Sequence, residues 1–408
     1  MMKKVLFLTS RLPLPADDGR SVTLKQYLDM LSSECEVGIV SLKGKKNKNE
    51  QAQYLKFVEE LEYPNFIGKL INVMFMSILG GYPLQVAGVY SKKSQKKFNR
   101  IVAEFKPDII ICDMIRTSKY LKKCKYKCTK VLDMDDVLSK RYKSSIEAKE
   151  DPLGQFKDML PSFALKIMKL LHCNSLLLKM ESKRMVKHEI NSVRYFDKVI
   201  LVSPKEADEL SKITNSEKIF SWPVCVEEKK NPSNLSYDKN QICFLGNMDA
   251  SQNQGTLKYI CEKILPKLDK KYHLLVVGKC NEENKELFKE YSRVHFTGFV
   301  DSVDEFVHNS LCLLAPIQYG SGIKIKILES MALGLPVITS TVGAEGLSVE
   351  NGKELFVLSD EDEYVKAIDK LQNVDTRERM IKESLNYVNN NHSFTLGEKI
   401  MKEKLLEV

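Results

Sequence analysis

One stretch, residues 311–340, constrains the chain more than any other, because it reads as strand, loop, helix and strand in close succession. Residues 311–315 are a continuous apolar run, the pattern of a parallel strand buried on both faces. Gly320, Ser321 and Gly322 follow, and two glycines in three residues let a backbone turn tightly with its amides open. Ile323, Ile327, Leu328, Met331 and Ala332 recur at helical spacing on one face, while Lys326 and Glu329 sit three apart on a neighbouring one. Gly334 and Pro336 end that helix, and residues 337–339 read as the next strand. A glycine turn feeding a helix N-terminus is a natural seat for an anion, most often a phosphate. Lys324 or Lys326 would add charge, and Glu329, roughly 10 Å along the axis, would reach the hydroxyls of a ribose carrying that phosphate. The spacing is equally satisfied by a capped strand-to-helix turn with Glu329 in solvent.

The residues Gly320-Ser321-Gly322, Lys326 and Glu329, followed by Met331-Ala332, Gly334, Pro336-Val337-Ile338, Thr341 and Gly343-Ala344-Glu345-Gly346, resemble the nucleotide-sugar signature of retaining glycosyltransferases of family four. The resemblance implies an α/β chain with the GT-B fold, two Rossmann-like doubly wound domains facing a central cleft. It implies an acceptor-side domain over 1–230, completed by a C-terminal helix at about 388–408, and a donor domain over 236–387. That family carries two glutamates eight residues apart, the second contacting the ribose. Glu329 matches the second, and Ser321 stands where the first would be, as in a subgroup with Gly-Ser-Gly at this place.

Length agrees with two domains: 408 residues exceed what one core usually serves. The net charge of +9 hides an asymmetry. Residues 1–200 hold 37 Lys+Arg against 22 Asp+Glu, or +15, and the remainder holds 26 against 32, or −6. A basic half suits an anionic membrane surface or nucleic acid, but no nucleic-acid reader motif is recognisable and aromatics do not alternate with the lysines. The ten cysteines show no repeated pairing, which fits reduced thiols in a cytoplasmic protein.

Along the chain, residues 5–9 read as a first buried strand, followed by a loop with Asp17, Asp18, Gly19 and Arg20 before a helix near Ser21. The first strand-to-helix loop of an α/β sheet faces a ligand, so Gly19 offers close backbone approach and Arg20 a charge for phosphate; a plain Asp-Gly turn is the other reading. Strands over 106–113 and 130–135 end in Asp113 and in Asp135-Asp136, and both ends should open on one site. Many members of the resembled family have a histidine beside the reacting sugar, and that position falls on Asp135; N-capping accounts equally well for Asp136. Residues 71–90 carry no charge, and residues 80–83, Gly-Gly-Tyr-Pro, break the run into halves too short to cross a bilayer. The run is expected as a buried helix and loop or as an interfacial helix, and its second part resembles a stretch of exopolysaccharide-associated sugar transferases. Lysine-edged apolar stripes at 163–183 suit either a core-facing or an interfacial helix.

In the second half, strands ending at Gly246, Gly278, Gly298 and Pro316 follow the donor domain of the resembled family in order and spacing. Its usual Arg and Lys beyond the first of these strands are absent over 247–255, leaving Lys258 as an uncertain substitute and Lys326 and Arg20 to take the load. The resemblance implies Asp135, Lys326 and Arg20 as catalytic residues and Gly19, Gly246, Ser321, Gly322, Ile323, Lys326 and Glu329 as the donor-binding set. With no Asp-x-Asp pair near the donor strands, no metal and no cofactor are expected. The implied activity is transfer of a hexose from a nucleoside diphosphate sugar to a glycan or lipid-linked acceptor in polysaccharide or glycoconjugate synthesis, in the cytoplasm or peripherally at the inner membrane face. A non-catalytic partner subunit of the same fold is the alternative.

Overall fold

The computed structural model describes residues 2–16, 18–42, 54–147, 174–227, 237–320 and 322–407. Ser321, Asp17 and residues 163–173 of the lysine-edged stretch lie outside the described residues. The chain divides into two compact units, Met1–Pro223 with Glu398–Val408, and Val224–Gly397.

The first unit is built on a sheet of seven strands: β1 Lys3–Thr9, β2 Cys35–Ser41, β3 Phe57–Glu60, β4 Ile109–Asp113, β5 Thr129–Asp133, β6 Lys198–Leu201 and β7 Ile219–Ser221. Their order is β3-β2-β1-β4-β5-β6-β7, and neighbours run parallel. The central strands are apolar without alternation because helices cover both faces: every residue of β4 is buried. The edge strands β3 and β7 are short and half-exposed, which limits pairing with another chain. The ring of Tyr27, on the helix Gly19–Glu34, stacks on Trp222 with centroids 3.8 Å apart, and its hydroxyl donates to the Trp222 carbonyl. The chain returns to this unit at Glu398. Lys402 pairs with Glu34 at 2.9 Å, and the ammonium groups of Lys3 and Lys198 donate to the carbonyls of Leu406 and Lys404.

The second unit has six strands: β8 Asp238–Leu245, β9 His273–Val277, β10 Val294–Gly298, β11 Ser310–Ala315, β12 Val337–Ser340 and β13 Phe356–Leu358. Their order, β10-β9-β8-β11-β12-β13, is again parallel and repeats the winding of the first sheet. Each unit has its own core, one around Phe98, Tyr120, Tyr142 and Phe196, the other around Phe244, Ile260, Leu314 and Tyr364. The fold is thus two doubly wound, Rossmann-like domains.

Residues 66–79 form a helix, Phe66–Asn72, that runs on into a wider-turned stretch, Val73–Leu79. The break falls at Gly80–Pro83, and the helix Leu84–Val89 beyond it is buried throughout. The buried reading of residues 71–90 therefore holds for the second part and fails for the first, where Ile71, Met74, Phe75, Ile78 and Leu79 are exposed. Among the described residues no helix is long and apolar enough to cross a membrane.

Candidate functional site

In a doubly wound sheet the strand order reverses beside the first strand, and the loops leaving the carboxyl ends there enclose a crevice where ligands bind. Each unit has one such point, between β1 and β4 and between β8 and β11.

In the first unit the point is filled by charge. β4 ends in Asp113 and β5 in Asp133, which are register partners in adjacent parallel strands, so two carboxylates emerge side by side. Arg20 lies between them. It is the second residue of the helix Gly19–Glu34, whose start is fixed by a capping box in which Asp18 and Ser21 accept from each other's backbone N–H. Arg20 Nε and Nη2 donate to Asp113 Oδ1 at 2.9 and 2.7 Å, Nη2 also to Asp133 Oδ2, and Nη1 to Asp135 Oδ1 at 3.1 Å. Asp133 is fully enclosed, Arg20 is 10 % exposed and Asp135, at 22 %, is the most open of the group. Three carboxylates on one guanidinium leave this cluster acidic, so the charge expected of Arg20 for a phosphate is matched within the protein. Asp135 has a left-handed backbone, φ 67°, which turns its carboxylate toward Arg20 and lets its N–H donate to Asp133 Oδ1 at 3.1 Å. Burial pushes Asp135 up to about 6, with Arg20 opposing and Asp136 and Asp133 adding to the rise. Asp136 faces elsewhere, accepting from Arg141 Nε at 3.0 Å. Gly19 is the first residue of the helix.

In the second unit the corresponding point is glycine-rich and cationic. Beyond β11 the chain turns through Gly320 and Gly322, at φ 115° and 74°, and the helix Ile325–Ala332 begins at Ile325, later than the Ile323 start the apolar spacing predicts. The reason is local: Gly322 is left-handed and Lys324, the N-cap, is extended, so neither can join the helix. A Cβ on Gly320 would lie 2.3 Å from Gln252 Nε2, which donates to the Tyr319 carbonyl, so this turn is held tight against the start of the helix Ser251–Tyr259 that follows β8. Among the described residues the amides of Gly322, Ile323, Ile325 and Lys326 have no hydrogen-bond partner.

Lys326 leaves the first turn of this helix toward β8. Its ammonium donates to Asn253 Oδ1 at 2.7 Å, lies 4.8 Å from the centroid of the Phe244 ring, and sits where a Cβ on Gly246 would come within 3.1 Å of it. Both partners are neutral. Burial, with Lys324 next, lowers Lys326 to about 8. Lys324 turns back instead, donating to the Gly322 carbonyl at 2.6 Å with Glu345 at 4.0 Å. Glu329 is exposed, one helical turn beyond Ile325, so about 6 Å along the axis from the helix start. Lys258 pairs with Glu262 on the surface at 3.7 Å and does not approach Lys326. The structure therefore gathers Gly246, Gly322, Ile323 and Lys326, with Glu329 on the same helix, and places Gly19, Arg20 and Asp135 in the other unit. Gln252, Asn253 and Phe244 were not legible as site residues; the only sequence signal is their place at the end of β8 and in the loop and helix after it.

Residues 239–373, most of the second unit, match the family described as Glycosyl transferases group 1. Over 385 residues, 90% of each chain, the protein is 23% identical to an uncharacterised 44.6 kDa protein in the cps region of Klebsiella pneumoniae. Solved structures share the fold over the whole length. Sucrose-phosphate synthase from Thermosynechococcus elongatus superposes with a TM-score of 0.69 at 15% identity, covering 98% of both chains. Anabaena HepE in complex with UDP gives 0.67 at 13%, covering 99% of this chain and all of that one. The lipopolysaccharide outer core galactosyltransferase WaaB gives 0.61 at 13%, covering 99% of both. The domain match together with the GT-B fold supports a glycosyltransferase.

Proposed function

We propose that the protein is a retaining glycosyltransferase that moves a hexose from a nucleoside diphosphate sugar to a glycan or lipid-linked acceptor in surface polysaccharide synthesis. The observation that carries this reading is Lys326, a largely enclosed ammonium whose partners among the described residues are neutral, set among amides unpaired within those residues at a helix N-terminus. Such a charge is costly to bury alone and is stabilised by an anion. A diphosphate supplies that anion, and Glu329 on the same helix then accepts from ribose hydroxyls. The relative in a cps region and the UDP complex of Anabaena HepE agree with this class of donor and this setting.

The chemistry follows from the charge. The bond from the sugar C1 to the diphosphate oxygen breaks with its electron pair going to that oxygen, while C1 becomes oxocarbenium-like. Lys326 and the amides of Gly322 and Ile323 take up the negative charge. The acceptor hydroxyl attacks C1 on the face being vacated, and its proton passes to the leaving diphosphate. Asp135 accepts a hydrogen bond from a hydroxyl of the reacting sugar, and Arg20 holds Asp135 in position. Incubation with a panel of nucleotide sugars and membrane-extracted acceptors, with the anomeric configuration of the product read by NMR, tests the reading. Release of nucleoside diphosphate with a same-anomer product supports it, and donor binding without turnover would favour a non-catalytic subunit.

A further inference from the structure

The helix over residues 66–79 is inverted. Phe66, Ile67, Leu70, Ile71, Met74, Phe75, Ile78 and Leu79 are between 39% and 71% exposed, although a soluble domain normally turns such residues inward. Asn72 and Ser77 on it face the protein. Asn72 Nδ2 donates to the carbonyls of Ala87 at 3.0 Å and Tyr90 at 2.7 Å, and the fully buried Ser77 receives Arg184 Nη1 at 3.1 Å. The exposed positions come in pairs every four residues, a repeat that outruns the 3.6 residues of an α-helical turn. The wider turns from Val73 onward take up that drift and keep the eight side chains on one face.

Basic residues stand on the helix packed beside it. Arg184 fixes the helix Asn174–Tyr195 against Ser77, and on that helix Met180, Lys183 and Lys187, each within one turn of Arg184, are exposed. Residues 64–91 contain one charged side chain, Lys69, and no carboxylate. An apolar stripe edged by lysine is complementary to an anionic bilayer, whose interior takes the side chains and whose headgroups take the ammonium groups.

We propose that residues 66–79 lie in the plane of an anionic lipid surface, with Phe66 through Leu79 inserted among the acyl chains and Lys183 and Lys187 at the headgroups. This attachment is hydrophobic first and electrostatic second, and it stands on the exposed face alone, independent of the transfer chemistry.

Flotation of the full chain with phosphatidylglycerol-containing vesicles, at low salt and at about 1 M, where screening acts beyond about 3 Å, tests it. Binding should weaken with salt yet persist in part. Phe75→Ser with Ile78→Ser should raise the lipid concentration for half-binding by about tenfold or more, with the thermal midpoint and nucleotide binding unchanged. Lys183→Gln with Lys187→Gln should lower low-salt binding by about fivefold per lysine and leave the high-salt remainder intact. No binding at low salt, or binding indifferent to the Phe75 and Ile78 changes, would overturn the proposal. A dimer that dissociates on those changes in a protein that ignores vesicles would assign the face to a second copy instead.

Discussion

The two units wind their strands in the same order, yet their switch points carry opposite charge. In the first, one guanidinium sits inside three carboxylates; in the second, one ammonium sits beside an amide oxygen and an aromatic ring. Topology sets where a ligand can approach, and side chains set which charge it must bring. The cation of the first unit is matched by carboxylates within the fold, whereas that of the second meets, among the described residues, neutral groups.

The sharpest way to break this comparison is to remove each cation in turn and measure stability. Arg20→Met leaves Asp113 and Asp133 side by side and buried without a counter-charge, and should cost about 3–5 kcal/mol in chemical denaturation. Lys326→Met removes a partly buried charge that meets, among the described residues, no carboxylate, so the midpoint of unfolding should hold or rise. Equal losses in the two variants would erase the distinction.

The next effect is on rate. Burial holds the Asp135 carboxyl up near 6, so it is ionised above that value and takes up a proton as the pH falls through it. Transfer should decline on the acid side of about pH 6, and Asp135→Asn should lower it about a hundredfold and abolish that limb of the profile. An unchanged acid limb in Asp135→Asn would remove Asp135 from the reaction. A smaller effect is expected of Glu329→Ala, which replaces an exposed helix residue and leaves the fold intact. Donor affinity should fall by about 2 kcal/mol from the lost charge-assisted hydrogen bonds to ribose, and unchanged affinity in a nucleoside diphosphate titration would end the ribose assignment.

Much of the architecture was legible because parallel strands covered on both faces appear as unbroken apolar runs: residues 109–112 and 311–315 are strands for that reason. The break at Gly80–Pro83 was legible because glycine and proline interrupt any helix. Less visible were features that depend on register and on what covers a face. That Asp113 stands opposite Asp133, and that Arg20 closes on both, follows from strand pairing, which one sequence does not state. Asn253 meets Lys326 across 73 positions of sequence. The helix start at Ile325 was missed because Ile323 fits the apolar spacing, whereas the left-handed Gly322 and extended Lys324 decide the boundary. The absence of charge marked residues 71–90 without saying that Asn72 and Ser77 turn inward.

The central claim is that Lys326 waits for the diphosphate of a donor. Calorimetric titration of nucleoside diphosphates into the wild-type protein and Lys326→Met, between pH 7 and 9.5, tests it most directly. Burial lowers this ammonium to about 8, so it is charged at pH 7 and loses its proton as the pH rises. A bound diphosphate favours the charged form, so wild-type affinity should fall as the pH passes 8, with proton uptake on binding at that pH. Lys326→Met should bind about tenfold or more weaker at pH 7 and show no fall across the same range. Wild-type affinity that stays level across the range, or a Lys326→Met variant that binds as tightly as wild type, would contradict the account.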